Sequence, residues 1–189
     1  MPLIVSYPSE RGNTVPYPPL FDDVRRNHGF TDLRGKPEQI NRIPEALESQ
    51  GLREILAMLA SEASQLMSVG CDLGSHKRGG ERLSRRHWAG GYIQIAQLPL
   101  APPNRAGLFA IAKTAESKLR AQAGQDTWKV AFALCPTHFK FQELLETETL
   151  WIWFDAAASG HEKALLARER LLSTLKEGLT ISDKQSSDC

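Results

Sequence analysis

The sequence predicts an α+β (or α/β) domain, a small mixed sheet of about three to four strands with helices packed on it, behind a proline-rich extended arm. Three patterns carry this. Apolar residues recur at helical spacing in three stretches, and short alternating runs rich in aromatic and β-branched residues lie between them. Six of the eleven prolines fall within residues 1–40. The chain has 189 residues, enough for one sizeable core. The expected organisation is an arm over 1–40, one domain over 41–179 and a loose tail over 180–189.

The arm is read from Pro2, Pro8, Pro16, Pro18, Pro19 and Pro37. Proline fixes φ and donates no backbone hydrogen bond, so such a segment is extended rather than helical. Leu3, Ile4 and Val5 suit a short strand at its start. Pro44 then suits the first turn of a helix, and Gly51 a break in it. Leu52, Ile55, Leu56, Leu59, Ala63, Leu66 and Met67 share one helical face, with Gly70 as the stop. Residues 71–91 read as a long polar connector.

Residues 92–98 alternate as a half-buried strand. Leu108, Ile111, Ala112, Ala115 and Leu119 form the next helical stripe, closed by Gly124. In the following strand Trp128, Val130, Phe132 and Leu134 share a face, with Ala131 and Ala133 on the other, where a helix could approach closely. Strand, helix, strand in this order predicts a parallel crossover. After a 136–147 connector, Leu150, Ile152 and Phe154 alternate with Trp151 and Trp153, so this strand is apolar on both faces. A last helix starts near Gly160 and carries Ala164, Leu165, Ala167, Leu171, Leu172, Leu175 and Leu179.

Several function classes find no support. No apolar run approaches the ~18 residues of a membrane span, and the opening residues show no secretory pattern. Three cysteines, Cys71, Cys135 and Cys189, suit a reducing compartment, so a cytoplasmic location and no membrane contact are expected. There is no G-x-G-x-x-G, P-loop, H-E-x-x-H, G-x-S-x-G or C-x-x-C, and no cofactor is expected.

The most informative local feature is charge. Lys77, Arg78, Arg82, Arg85 and Arg86 face a single acid, Glu81, within ten residues, a net of +4. The whole chain carries +1, so the remainder carries −3. Arginine's planar fork fits phosphate or carboxylate with two bonds, and Gly79 and Gly80 let backbone come close. With His87 and Trp88 alongside, the 77–88 loop is the expected contact for an anionic partner, a protein surface or a nucleic-acid backbone. The competing reading is a solvated loop paired with the protein's own acids, such as Asp72 and Glu62.

Two alternatives remain. A zinc- or thiol-dependent enzyme could be built from Cys71, His76, His87, Cys135 and His138, since zinc takes thiolate and imidazole ligands and thiol catalysis needs a stabilised thiolate. An assembly module would instead use Trp151 and Trp153 as interface anchors and leave the basic loop idle. Asp155 and Arg168 are the candidate internal charge pair.

Overall fold

The computed structural model describes residues 4–6, 12–21, 26–77, 87–100, 105–124, 126–141 and 144–187. It is a mixed fold. Along the chain come β1 (Ile4–Ser6), β2 (Asn13–Val15), a small hairpin of β3 (Leu20–Phe21) and β4 (Arg26–Asn27), and a 3-10 turn over Pro37–Arg42. Then follow α1 (Pro44–Glu48), α2 (Gln50–Leu59), β5 (Leu66–Lys77), β6 (His87–Gln97), α3 (Arg105–Gln122), β7 (Thr127–Lys140), β8 (Leu144–Ala158) and α4 (His161–Ser187).

The main sheet is curled and runs in the order β1-β7-β8-β6-β5, with β2 also paired to β7. It is larger than the three to four strands expected. Strands β6 and β7 are each antiparallel to β8, so they run parallel to one another with β8 between them. The expected crossover is therefore present as a split β-α-β unit rather than as adjacent strands.

Three expectations about segments need correction. Leu66 and Met67 do not continue the preceding helix. That helix ends at Leu59, and Ser64 forms the turn into β5, its Oγ accepting from Leu66 N and donating to Leu66 O. Residues 71–77 and 87–91 are strand, not connector. Gly70, Gly74, Gly90 and Gly91 break the side-chain alternation that marks a strand, while the backbone ladder needs no side chains. The 136–147 stretch is mostly the continuation of β7 and β8, which stay paired from Thr127↔Ala157 to Lys140↔Leu144.

One face of the sheet carries Ile93, Ile95, Trp128, Val130, Phe132, Leu150, Ile152, Phe154 and Ala156, buried with α2, α3 and α4 in the main core. Ala131 and Ala133 point away from these helices, because alternation puts them opposite Val130 and Phe132. The α1–α2 break falls at Ser49, whose Oγ accepts from Leu52 N and donates to Glu169. Glu169 also accepts from Gly51 N at 2.7 Å, so an α4 carboxylate closes the N-terminus of α2. Beside it Arg168, 5% exposed, donates to Glu169 and to Glu48 O. Arg168 lies on the helix side and Asp155 on the opposite face of the sheet, so the expected pair does not form. Helix α4 continues past Leu179, where a loose tail was expected to begin.

The other face is covered at one end by the N-terminal segment. Val15 is sealed in a second cluster with Met67, Val69, Ala96 and Phe139. Asn13 exchanges two side-chain hydrogen bonds with Gln94, at 3.0 and 3.2 Å, and accepts from Thr137. Gln94, 1% exposed, also donates to Thr149 at 2.8 Å. Tyr17 reaches across to β5, donating to Val69 O. Residues 12–17 are thus bound to the sheet through β2 and a buried polar network.

At the α3–α4 contact, a Cβ on Gly178 would lie 2.8 Å from Ala115 Cα. Helix backbones do not yield as flexible side chains do, so Gly178→Val forces the helices apart. We expect a loss of about 1–3 kcal/mol in urea unfolding, whereas Gly160→Ala, which meets nothing within 4 Å, should leave stability within about 0.5 kcal/mol.

Candidate anion-binding site

Strands β5 and β6 pair from Leu66↔Gln97 out to Lys77↔His87, with one bulge between Ser68 and Gly70. Residues 78–86 therefore join the two ends of a long hairpin. The basic segment is narrower than the 77–88 loop expected, since Lys77 ends β5 while His87 and Trp88 begin β6. Arg78, Arg82, Arg85 and Arg86 lie outside the described residues, and of His76 and Lys77 only the backbone is described.

At this end of the sheet the described residues add further groups that sequence reasoning missed. The His161 ring at the start of α4 lies 6.2 Å from that of His87. The Lys129 ammonium sits 4.5 Å over the ring of Trp88. Trp88 is 6% exposed, so it is a covered ring packed under a lysine rather than a free plate beside the loop. Lys129 stands opposite Asp155 in the β7–β8 register. Asp155 in turn packs over Gly90, where a Cβ would collide with its carboxylate and with Phe154 O. No local motif marks Lys129 or His161; the register alone brings them to the hairpin.

Next along the open face is an aromatic row. Tyr92 stacks on Trp151 at 4.9 Å and 16°, and Trp151 meets Trp153 at 5.1 Å and 36°. All three are half-buried. Burial pushes the Tyr92 hydroxyl well up, reinforced by Tyr17, Asp72, Cys71 and Glu45 nearby. The alternating Trp151 and Trp153 were visible in the sequence, but the partner ring from β6 was not.

The proposed metal or thiol constellation does not assemble. Cys71 in β5 packs on the main helix-side core, and Cys135 lies three strands away in β7. Alternation puts Cys135 on the opposite face, with Thr137 and Phe139. It is fully buried, its Sγ 3.7 Å from Pro136 O. His138 is three residues further on and so points away from Cys135. Among the described residues no three His, Cys, Asp or Glu side chains are grouped to hold a metal ion. Burial pushes the Cys71 thiol up to about 12, with Glu45 and Asp72 adding to the shift. The basic run begins only at Lys77, the far end of β5 from Cys71.

Compared with known proteins, the chain matches no protein family, no curated protein and no solved structure. The site is therefore read from its own chemistry.

Folded Cys71 should resist iodoacetamide near neutral pH, since alkylation requires thiolate. Peptide mapping is expected to leave it unmodified until the protein unfolds, and rapid stoichiometric labelling would contradict its burial. Cys71 rises from 9.0 to about 12 and Tyr17 from 10.0 to about 12, chiefly by burial. Both are neutral when folded and ionise sooner when unfolded, so stability should fall as pH rises from 9 toward 12. Urea midpoints at pH 8 and pH 10.5 check the sign.

Proposed function

We propose that this chain is a non-catalytic binding module that docks on an anionic partner with the tip of its β5–β6 hairpin. One observation supports the reading above the others. The hairpin stays paired out to Lys77↔His87 at one extremity of the sheet, and the sequence between these two positions, outside the described residues, carries Arg78, Arg82, Arg85 and Arg86. Solubility alone would be served by charges spread along the chain; here one ten-residue stretch of sequence holds +4 while the remainder holds −3. His87, His161 and Lys129 lie at the same end, as does the N-terminus of α4, whose free N–H groups favour negative charge. Cys71 and Cys135 lie on different strands and faces, which favours the binding reading over an enzyme built on them.

The test uses heparin as a polyanion of no particular sequence. The protein should be retained at low salt, and the logarithm of its affinity should fall linearly with the logarithm of salt concentration. Changing Arg82, Arg85 and Arg86 together to Ala should lower the slope by about three, roughly one per lost contact. An unchanged slope with an unchanged fold would overturn the reading.

A further inference from the structure

Strand β5 is the last in the sheet order, and it pairs with β6 from Leu66 to Lys77. A strand paired on one side turns the N–H and C=O groups of alternate residues outward, where they meet water or another chain. The first part of this edge is closed. Residues 66–69 are buried, and the Tyr17 hydroxyl donates to Val69 O at 3.3 Å. A Cβ on Gly70 would lie 2.8 Å from that hydroxyl, so the segment bearing Tyr17 crosses the strand here. From Asp72 onward the edge is open among the described residues. Asp72 and Gly74 are exposed, and a Cβ on Gly74 would meet nothing within 4 Å. Residues 72–77 give about 20 Å of strand.

The two flanks of this edge differ. Cys71 and Leu73 are half-buried and pack on the main core, on the helix side. Asp72 points to the other side by alternation. Helix α1 packs against β5, and its Glu45 lies near Cys71 on one flank and near Asp72, Tyr17 and Tyr92 on the other. Glu45 therefore stands off the edge itself. Burial raises its carboxyl, Asp72 and Glu48 add to the shift, and His28 and the backbone oppose it. Among the described residues Glu45, Glu48 and Asp72 have no ion-pair partner.

These charges select what the edge accepts. A second copy is disfavoured, because the twofold axis of such a pair would bring Glu45 and Asp72 of both copies to one seam. A chain that supplies a cation meets the opposite situation. Its charge lies between two carboxylates that repel one another, and one of them is half-buried, where attraction is stronger than in water. We propose that the 72–77 edge of β5 takes an extended segment of a partner protein as an added strand, with a Lys or Arg over Asp72 and Glu45 and an apolar neighbour beside Leu73. The backbone ladder supplies the affinity, and the alternating side chains supply the choice of partner. This surface is independent of the anion site, and either stands without the other.

The experiment titrates the nitrogen-15-labelled full chain with the end-blocked peptide Thr-Val-Lys-Val-Thr at low salt. Amide signals of residues 72–77 and of Glu45 should shift most. Thr-Val-Glu-Val-Thr should bind at least about tenfold more weakly. Thr-Pro-Lys-Pro-Thr keeps the charge but lacks two N–H donors, and should lose a similar factor. Asp72→Lys should weaken the Lys peptide at least about fivefold, equivalent to ~1 kcal/mol, while Asp72→Glu should retain most of the affinity. Asp72 is exposed, so both variants should fold. No binding at about 5 mM peptide, equal binding of the Pro peptide, unaltered affinity in Asp72→Lys, or shifts lying away from β5 and α1 would each sink the proposal. A dimer of the free chain that protects residues 72–77 from hydrogen exchange would make the occupant a second copy and equally defeat it. Heparin retention, which tests the anion site, is read separately.

Discussion

Strand β8 is apolar on both of its faces, and the rest of the architecture answers that constraint. Leu150, Ile152 and Phe154 face one way; Trp151 and Trp153 face the other. A strand of this kind belongs in the middle of a sheet and needs two covers, because each exposed large apolar side chain forgoes about 1.5–3 kcal/mol of burial. The helices α2, α3 and α4 supply the first cover completely. Neighbours β6 and β7 supply apolar residues in register with β8, so Ile93, Ile152 and Phe132 form one layer under the helices.

Among the described residues the second cover is partial. The N-terminal segment places Val15 and Tyr17 on the face, and Asn13 satisfies the buried amide of Gln94. A buried amide without partners would cost about 1–3 kcal/mol, so this network fixes where the segment lies. Beside this network, the rings of Tyr92, Trp151 and Trp153 cover one another by stacking instead. The β5–β6 hairpin continues to one end of the same sheet, where Lys129 sits over Trp88. On the proposed reading, a polyanion would be drawn by the charge over distances of about a Debye length, whereas the rings would act only at contact.

Much of the fold was legible from sequence where the side chains alternate or repeat cleanly. The stripe from Leu108 to Leu119 is a helix, and the strand faces around Trp128 and Leu150 point where their alternation puts them. Pro44 stands at the start of a helix as read. Legibility failed in the glycine-rich strands. Gly70, Gly74, Gly90 and Gly91 leave β5 and β6 without a periodic pattern, and their pairing rests on backbone hydrogen bonds that no side chain announces. Leu66 and Met67 fitted helical spacing by coincidence, and the serine turn before them decided otherwise. In the site, the basic run and the two tryptophans were visible, while Tyr92, Lys129 and His161 came from separate elements with no local signal.

By itself the sequence determined the class of the fold, the apolar identity of β8 and the concentration of +4 within ten residues, because each is a property of neighbouring residues. Tertiary structure alone decided that β8 lies between β6 and β7, that Cys71 and Cys135 end up three strands apart, and that Lys129 covers Trp88. Those facts depend on strand order and register, which follow from which long-range burial wins among many alternatives. No local pattern encodes that outcome.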